Sequence, residues 1–342
     1  MYFCMMNFIT GATGLVGSHL VAKLLLMGES VMALRRPQSD SRLLKDVLAR
    51  EFSDPKVAFD KISWVEGNIT DYYTIETALQ QAHAVYHCAA TVSFRSSDKD
   101  IVLHTNIQGT SNLVNAALHC GIKKFCHVSS VAALGRTGEG QPITEEASWK
   151  NSDINSVYAL SKYRAEREVW RGIAEGLNAV IVNPSIILGA GRWDDGSAAI
   201  FKTVDEGLKF YTKGINGFVD VKDVVDVMVL LMKGDFQGER FVVSAADLSY
   251  EELFKQIASN LNRKPPSIYA RPWMGELAWR YYALKQLLSG KKALITRETA
   301  RTAKNKHFYP ATKLKQRTDF KFRPMPDSIA EICKQYKSES IS

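Results

Sequence analysis

A glycine-rich turn close to residue 10 constrains the fold of this chain more than any other feature. The β-type run at residues 8–10 leads directly into Gly11, Gly14 and Gly17, and an apolar helix-type segment opens at the same point. Gly11 allows a tight turn, Gly14 lets the backbone approach a phosphate, and Gly17 lets helix and strand pack closely. Free N–H groups at such a helix start bind a pyrophosphate. The turn therefore predicts a dinucleotide site, although its spacing is G-x-x-G-x-x-G and not G-x-G-x-x-G.

Strand-type and helix-type segments alternate through about the first half of the 342 residues, which is typical of βαβ units in a parallel sheet. We expect strands at residues 7–10, 31–35, 62–66, 84–88, 125–129 and 179–183. We expect helices at residues 15–27, 72–80, 106–119 and 157–174, with Gly28 and Gly121 as caps after two of them. The predicted fold class is α/β, with a Rossmann-like doubly wound parallel sheet.

A smaller second lobe is predicted from residue 185 onward. The alternation becomes irregular and glycine-rich after Pro184, and two more strand-type segments follow at residues 218–221 and 240–244. A chain of this length also exceeds one typical core. We therefore expect two interleaved domains. Residues 1–184 with 219–245 would form the dinucleotide-binding Rossmann domain, and residues 185–218 with 246–342 the C-terminal substrate-binding lobe.

The net charge of +8 at pH 7 raises the question of a nucleic-acid or membrane partner. Residues 261–342 contain 18 Lys and Arg against 6 Asp and Glu, whereas the rest of the chain is slightly acidic. Because the basic surplus lies outside the predicted dinucleotide domain, no nucleic-acid partner is expected.

The five cysteines show no C-x-x-C pair and lie mostly in apolar runs, which is typical of reduced thiols in the cytoplasm. The first six residues contain no basic side chain, so no signal peptide is predicted. No run reaches the roughly 18 apolar residues of a membrane span. We therefore expect a cytoplasmic protein without a transmembrane segment.

The second predicted strand ends in Arg35 and Arg36, where an enzyme that binds NAD usually shows a carboxylate for the ribose 2′-hydroxyl. The first carboxylate after this pair is Asp40. A guanidinium binds a 2′-phosphate bidentately and stacks on adenine. The pair therefore favours NADP(H) over NAD(H); the alternative is a solvated arginine pair without a ligand.

Tyr158 and Lys162 lie one turn apart on the same face of a predicted helix. A neighbouring ammonium favours the phenolate, so we expect a lowered pKa for Tyr158 and a role as proton donor or acceptor. The same Y-x-x-x-K spacing begins at Tyr281 and Tyr309. Spacing alone therefore does not select Tyr158.

A pair of hydroxyls supplies the second argument for Tyr158. The predicted strand 125–129 ends in Ser129 and Ser130, at a carboxyl end where ligands bind in open α/β sheets. A serine there can donate a hydrogen bond to a substrate carbonyl while a tyrosine protonates it. The alternative is that one or both serines only cap a turn.

Eight short motifs follow one another along the chain: Thr10-Gly11-Ala12-Thr13-Gly14-Leu15-Val16-Gly17, Gly67-Asn68-Ile69-Thr70-Asp71, His87-Cys88-Ala89-Ala90, Asn106-Ile107-Gln108-Gly109-Thr110, Val128-Ser129-Ser130, Tyr158 to Lys162, Asn183-Pro184-Ser185 and Phe218-Val219-Asp220-Val221-Lys222-Asp223-Val224. In combination they resemble the extended short-chain dehydrogenases/reductases of the NAD(P)-dependent epimerase/dehydratase superfamily. The resemblance is greatest to the dihydroflavonol-reductase and 3β-hydroxysteroid-dehydrogenase branch, and it covers nearly the whole chain.

The resemblance implies a role for each matching residue. Tyr158 would be the acid/base, Lys162 would hold the nicotinamide ribose, and Ser130 would polarise the substrate carbonyl. The residues implied to bind the cofactor are Gly11, Thr13, Gly14, Leu15, Val16, Gly17, Arg35, Arg36, Asn68, Ile69, Ala89, Ala90, Thr91, Tyr158, Lys162, Pro184 and Ser185. Asn68 departs from the family pattern, in which Asp is usual, but its amide oxygen can still accept a hydrogen bond from adenine.

The leading hypothesis is an oxidoreductase that transfers a hydride between NADP(H) and a ketone or secondary alcohol, with Tyr158 handling the proton. The first alternative is a nucleotide-sugar epimerase or dehydratase. Such enzymes usually carry arginine clamps for the substrate diphosphate, and Arg192 keeps this alternative open. The second alternative is a non-catalytic NADP-binding sensor, against which the intact Ser130, Tyr158 and Lys162 argue.

Three other polar residues have structural interpretations. The family pattern implies that Asn106 ties strands together, with membership of a proton relay as the alternative, and we expect His87 to make a packing or turn contact. His83 and His87 lack carboxylate or cysteine partners at metal-ligating spacing, so no metal is expected.

Aromatic and apolar side chains recur at helical spacing over residues 273–288, beside Lys285, Lys291 and Lys292. A core-facing helix of the small lobe is the default interpretation. The alternative is a cover over an apolar substrate pocket or a contact with an anionic membrane surface. The expected partner is a small carbonyl or alcohol substrate, and a homodimer is left open.

Overall fold

The computed structural model describes residues 6–93, 96–138, 140–152, 155–271, 273–274, 279–280 and 304–341. Its strands are β1 Met6–Thr10, β2 Ser30–Arg35, β3 Ser63–Glu66, β4 Ala84–His87, β5 Lys124–Val128, β6 Ala179–Pro184, β7 Ile186–Leu188, β8 Phe210–Tyr211, β9 Ile215–Asp220, β10 Glu239–Val243, β11 Ala246–Ser249 and β12 Ile268–Tyr269.

The α-helices are α1 Leu15–Leu26, α2 Arg42–Glu51, α3 Pro55–Asp60, α4 Tyr72–Leu79, α5 Lys99–Leu103, α6 Gly109–His119, α7 Val157–Ala174, α8 Ala199–Asp205, α9 Val221–Lys233, α10 Tyr250–Leu261, α11 Thr312–Thr318 and α12 Met325–Ile341. A π-helical turn, His104–Gln108, joins α5 to α6.

Seven strands form one parallel sheet in the order β10-β6-β5-β4-β1-β2-β3. From β1 the chain winds outward through β2 and β3, and then returns to β4 on the other side of β1. The winding direction therefore reverses between β1 and β4. Ligands of open α/β sheets bind in the crevice at such a reversal, outside the carboxyl ends of the strands. The predicted α/β doubly wound fold is confirmed.

Apolar side chains cover both faces of this sheet, as expected for parallel strands. Phe8 and Phe125 lie in one buried cluster with side chains of α4, α6 and α7. Ile9 and Cys126, the next residues along the same strands, lie in a second cluster with α1, α2 and α9. Successive strand residues point to opposite faces, so the alternation places one helical layer on each side.

The predicted strands and helices of the first half are all present, with ends that differ by at most a few residues. Gly28 and Gly121 have φ of +74° and +67°. After α1, the N–H of Gly28 donates to Leu25 O and that of Glu29 to Leu24 O, which is the Schellman pattern of a helix end. Helices α2 and α3 were not predicted.

A smaller three-stranded sheet has the order β11-β9-β7, with β9 parallel to β7 and antiparallel to β11. Phe201, Phe218, Leu253 and Ile329 from α8, β9, α10 and α12 form its buried cluster. β10 belongs to the large sheet, whereas β9 runs across the predicted domain boundary at residue 219. The division into two domains stays a prediction. Most of the predicted helix at 273–288 lies outside the described residues.

The glycine turn generates a prediction about stability. A Cβ at residue 17 would lie 2.1 Å from the Gly11 carbonyl oxygen, so the Gly17→Ala backbone must shift. We expect its free energy of unfolding, measured with urea, to fall by about 3 kcal/mol. Gly28→Ala is the control, because a Cβ there meets no heavy atom within 4 Å and only the positive φ costs about 1 kcal/mol. Equal losses in the two variants would contradict the close contact of β1 with α1.

Candidate active site

The glycine turn between β1 and α1 is shaped by contacts that exclude any side chain. Gly11 has φ of +72°, and a Cβ on it would lie 2.7 Å from the backbone nitrogen of Ala89. Gly14 is the N-cap residue of α1, and no side chain caps that helix. A twelve-residue helix therefore presents its positive end beside a turn in which residues 11 and 14 carry no side chain. These residues fit a dinucleotide pyrophosphate, as the sequence predicts.

The two arginines after β2 differ in their surroundings. Arg35 donates from Nη2 to Glu66 Oε1 at 3.1 Å, and its guanidinium lies 4.8 Å from the centroid of the Trp64 ring. Arg36 is exposed, and its guanidinium has no hydrogen-bond partner among the described residues. Of the pair, Arg36 is thus the one whose guanidinium is not engaged by a described side chain.

Asp40 lies in the loop between β2 and α2 and is held by two arginines. Arg42 donates to it from Nε (3.0 Å) and from Nη2 (2.8 Å), and these bonds hold the pKa of Asp40 well below its usual range. Arg192 donates from Nη2 to the Asp40 carbonyl oxygen at 3.3 Å. Arg192, the residue that leaves a nucleotide-sugar epimerase as an alternative in the sequence analysis, therefore contacts the β2–α2 loop.

Buried His87 connects β1 to the loop that follows β4. The Ala89 N–H donates to Thr10 Oγ1 (3.2 Å), so the Thr10 hydroxyl is free to donate to His87 Nδ1 (2.8 Å). Thr110 donates its hydroxyl proton to Asn106 O (2.6 Å) and must therefore accept from His87 Nε2 (2.9 Å). Burial lowers the pKa of His87 to about 3. The imidazole is thus neutral, with its proton on Nε2.

Asn106, in the π-helical turn, holds the same loop from the other side. Its Oδ1 accepts from the Thr91 N–H at 2.7 Å, and its Nδ2 donates to Thr91 O (3.0 Å) and to Ser161 Oγ on α7 (2.9 Å). Asn106 thus ties the loop after β4 to α7, and not one strand to another as the family pattern implies. His87 and Asn106 together determine the path of residues 89–91, which are implied to bind the central part of the cofactor.

The three predicted catalytic residues meet where β5 ends and α7 begins. Ser156 caps α7 by accepting from the Ala159 N–H (2.9 Å), which places Tyr158 in the first helical turn. The Tyr158 hydroxyl is hydrogen-bonded to the Ser130 side chain. Lys162 is buried and donates from Nζ to Val128 O at 2.7 Å.

The pKa of Tyr158 moves in the direction opposite to the sequence prediction. Burial raises it, and the hydrogen bond to Ser130 opposes this effect only in part. The pKa of Lys162 is lowered to about 8, first by burial. The lowering of the Tyr158 pKa that the sequence predicts from Lys162 is not found, because burial of the phenol dominates.

The other implied cofactor residues follow further strands at the same edge of the sheet. Asn68 comes after β3 and is exposed, and its Oδ1 accepts from the Thr70 N–H at 3.2 Å. Ile69 is buried against Gly109, where a Cβ would lie 2.6 Å from Ile69 Cγ2. Pro184 and Ser185 end β6 and are buried. Thr13, Leu15 and Val16 belong to the glycine turn and the first turn of α1. Residues implied to touch one ligand thus converge on one edge.

Sequence reasoning missed one residue beside this site. Glu166 is a buried carboxylate on α7, four residues after Lys162, and it accepts hydrogen bonds from Ser129 and Asn183. Its spacing from Lys162 places both side chains on one helix face, which was the available signal.

Two kinds of feature are not found in the part of the chain that the structure describes. No three or more His, Cys, Asp or Glu side chains are grouped so that they could hold a metal ion. No described helix is long and apolar enough to cross a membrane.

A family model and individual proteins match this chain. The model of the NAD dependent epimerase/dehydratase family matches residues 7–244. Sterol demethylase protein B of Methylococcus capsulatus is 30% identical over 274 residues, 78% of each chain. A putative dihydroflavonol 4-reductase of Synechocystis is 26% identical over 319 residues, 90% of this chain and 88% of that protein. The solved structure of gox2253 has 28% identity and a TM-score of 0.79, with 98% of both chains covered.

These matches confirm the family that the eight motifs predict. The family model covers the whole of the large sheet, and the matched relatives extend into the smaller lobe. The chain is an enzyme of the NAD dependent epimerase/dehydratase family, within the extended short-chain dehydrogenases/reductases.

Proposed function

We propose that this enzyme is an NADP(H)-dependent reductase or dehydrogenase that interconverts a ketone and a secondary alcohol. The hydrogen bond between Ser130 and Tyr158 carries the proposal, because it brings two hydroxyl groups to one point at the carboxyl edge of the sheet. A carbonyl oxygen placed there would accept a hydrogen bond from Ser130 and the proton of Tyr158. A bound nicotinamide supplies the hydride.

The raised pKa of Tyr158 supports a proton-donating role in the reduction direction. A phenol that stays protonated at neutral pH delivers its proton to an oxygen as negative charge develops there. Lys162, with a pKa of about 8, is largely protonated at pH 7 and adds positive charge close to this point. Its hydrogen bond to Val128 O fixes the ammonium on the sheet side of α7.

The cofactor preference rests on the end of β2. Arg36 is exposed and has no described partner, so it can reach a 2′-phosphate without breaking an existing interaction. Arg35, held by Glu66 and stacked on Trp64, would contribute a planar surface for adenine. Asp40, which could otherwise repel a phosphate, is neutralised by Arg42 and approached by Arg192.

The proposed substrate class rests on the names of the matched relatives. The matched relatives are named for a sterol and for a dihydroflavonol, so we propose a ring-bearing carbonyl or alcohol of mainly apolar character. A nucleotide-sugar epimerase is less well supported, because Arg192 is engaged with the Asp40 loop.

A sensor role is less well supported, because the chain has the Ser130, Tyr158 and Lys162 that the proposed reaction needs. A cytoplasmic location and a homodimer stay predictions from the sequence.

Removal of the Tyr158 hydroxyl tests the reaction. Tyr158→Phe keeps the ring but cannot transfer a proton, so we expect kcat for NADPH-dependent reduction of a ketone panel to fall at least about 100-fold. NADPH binding, followed by fluorescence, should change little. Tyr163→Phe is the matched control, because Tyr163 lies on the same helix and stacks on Trp149 at 4.3 Å. Retention of turnover by Tyr158→Phe would refute the proposed function.

The cofactor proposal has its own test. Arg36→Ala removes one charge-assisted contact, so KM for NADPH should rise about 10- to 100-fold while KM for NADH stays constant. Lys45→Ala on α2, whose ammonium lies 5.4 Å from the centroid of the Phe59 ring, is the control and should change the ratio of the two KM values much less. A wild-type enzyme that prefers NADH, or an equal effect of Arg36→Ala on both cofactors, would overturn the preference.

A further inference from the structure

Glu166 is a carboxylate with 2% exposure and a complete set of donors. The donors come from the carboxyl ends of β5 and β6, from near the start of β10 and from its own helix. They are Ser129 Oγ (2.6 Å) and Asn183 Nδ2 (2.7 Å) to Oε2, and Arg240 Nη1 (2.9 Å) and Trp170 Nε1 (3.2 Å) to Oε1. A buried carboxylate is tolerated only with such partners, because leaving water is costly for the charged form. A single side chain therefore connects α7 to β5, β6 and β10.

Arg240, the cationic partner, is itself anchored. Its Nε donates to Glu145 O at 2.9 Å, and Nη2 donates to the same carbonyl. Glu145 in turn accepts from the Val242 N–H at 2.8 Å. The ion pair between Glu166 and Arg240 thus has a fixed position relative to β10. Apolar residues of similar size often replace such buried pairs without loss of stability, so fold stability alone does not require the pair.

The groups that Glu166 binds are adjacent to the proposed reaction site. Ser129 precedes Ser130 in the chain, and Asn183 precedes Pro184. The Asn183 Nδ2 that donates to Glu166 also donates to the Ser130 carbonyl oxygen at 3.0 Å. Two strand ends that carry site residues are therefore joined through one carboxylate, which is one helical turn from Lys162.

We propose that Glu166 is a positioning residue of this site, which with Arg240 holds the Ser130 and Pro184 strand ends against the face of α7 that carries Lys162. The proposal rests on the reaction proposed above. It assigns Glu166 no contact with substrate. The Glu166 carboxylate accepts the hydrogen bonds of Ser129 and Asn183. Because Ser129 precedes Ser130 and Asn183 donates to the Ser130 carbonyl oxygen, this one buried charge sets the orientation of Ser130.

A second effect of the same charge acts on Lys162. Burial lowers the pKa of Lys162 to about 8, and the negative charge of Glu166 opposes that effect. The other titratable groups that influence Lys162 among the described residues are Cys88, His87 and His127. Burial raises the pKa of Cys88 to about 12 and lowers those of both histidines, so all three are neutral at pH 7. Glu166 is therefore the charge that keeps Lys162 protonated.

The negative charge of Glu166 raises the pKa of Lys162, so its removal should lower that pKa. Without the Glu166 charge, Lys162 loses its proton at lower pH, and the alkaline limb of kcat/KM moves toward neutral pH. In Glu166→Gln we expect this limb to shift down by about one pH unit, with a fall in kcat of at least about 10-fold as Ser130 loses its support. Glu166→Asp retains the negative charge, so the alkaline limb of its kcat/KM profile should lie at the wild-type pH while its kcat stays reduced.

The Lys162 titration is also measured without cofactor or turnover. In the chain labelled with 13C at the lysine ε-carbon, the resonance that titrates near pH 8 and vanishes in Lys162→Met reports Lys162 directly. We expect its midpoint to fall in Glu166→Gln. Glu168→Gln is the matched control, because Glu168 lies on the same helix and binds Ser111 and Arg171 at the surface side. Its midpoint should equal that of the wild type.

Removing Glu166 alone leaves Arg240 without its anionic partner, and this can prevent folding. The double variant Glu166→Gln, Arg240→Met removes both charges, and its folding is checked by urea unfolding. We expect it to fold and to keep the lowered Lys162 midpoint. A wild-type midpoint and a wild-type pH limb in the folded double variant would overturn the positioning role. Since Tyr158→Phe tests the reaction separately, that result would leave the proposed function intact.

Discussion

The contact between the backbones of β1 and α1 is the constraint on which the rest of the site depends. The carbonyl of Gly11 lies so close to residue 17 that a Cβ would overlap it, and Gly11 itself touches the backbone after β4. These segments therefore meet without intervening side chains at the point where the strand order reverses between β1 and β4. The site residues at the strand ends reach the same edge because their strands are parallel to β1.

Charge is distributed unevenly around this edge. At the end where adenosine is proposed to bind, the arginines are exposed or half-exposed, and Arg35 and Arg42 are paired with Glu66 and Asp40. At the reaction end, Lys162 and Glu166 are buried, and their charges act through a medium with little water. A change of one charge should therefore matter far more at the reaction end, where solvent screens it less.

The fold could be predicted from the sequence because its signals are local. The glycine turn, the alternating strands and helices, and the caps at Gly28 and Gly121 each depend on a few neighbouring residues. The pairing of Arg192 with Asp40, the acceptor role of Glu166 and the raised pKa of Tyr158 depend on residues far apart in the chain and on the depth of burial. A single sequence contains the partners of these interactions but not their distances.

The chain of hydrogen bonds through His87 has a consequence for the behaviour of the enzyme as acidity changes. All its donors point one way, from the Ala89 amide through Thr10, His87 and Thr110 to the carbonyl of Asn106. The imidazole stays neutral far below physiological pH. The frame around the cofactor loop is therefore inert to protons across the range in which Lys162 titrates. A change of pH in that range would therefore act on Lys162 and leave the hydrogen bonds of His87 in place.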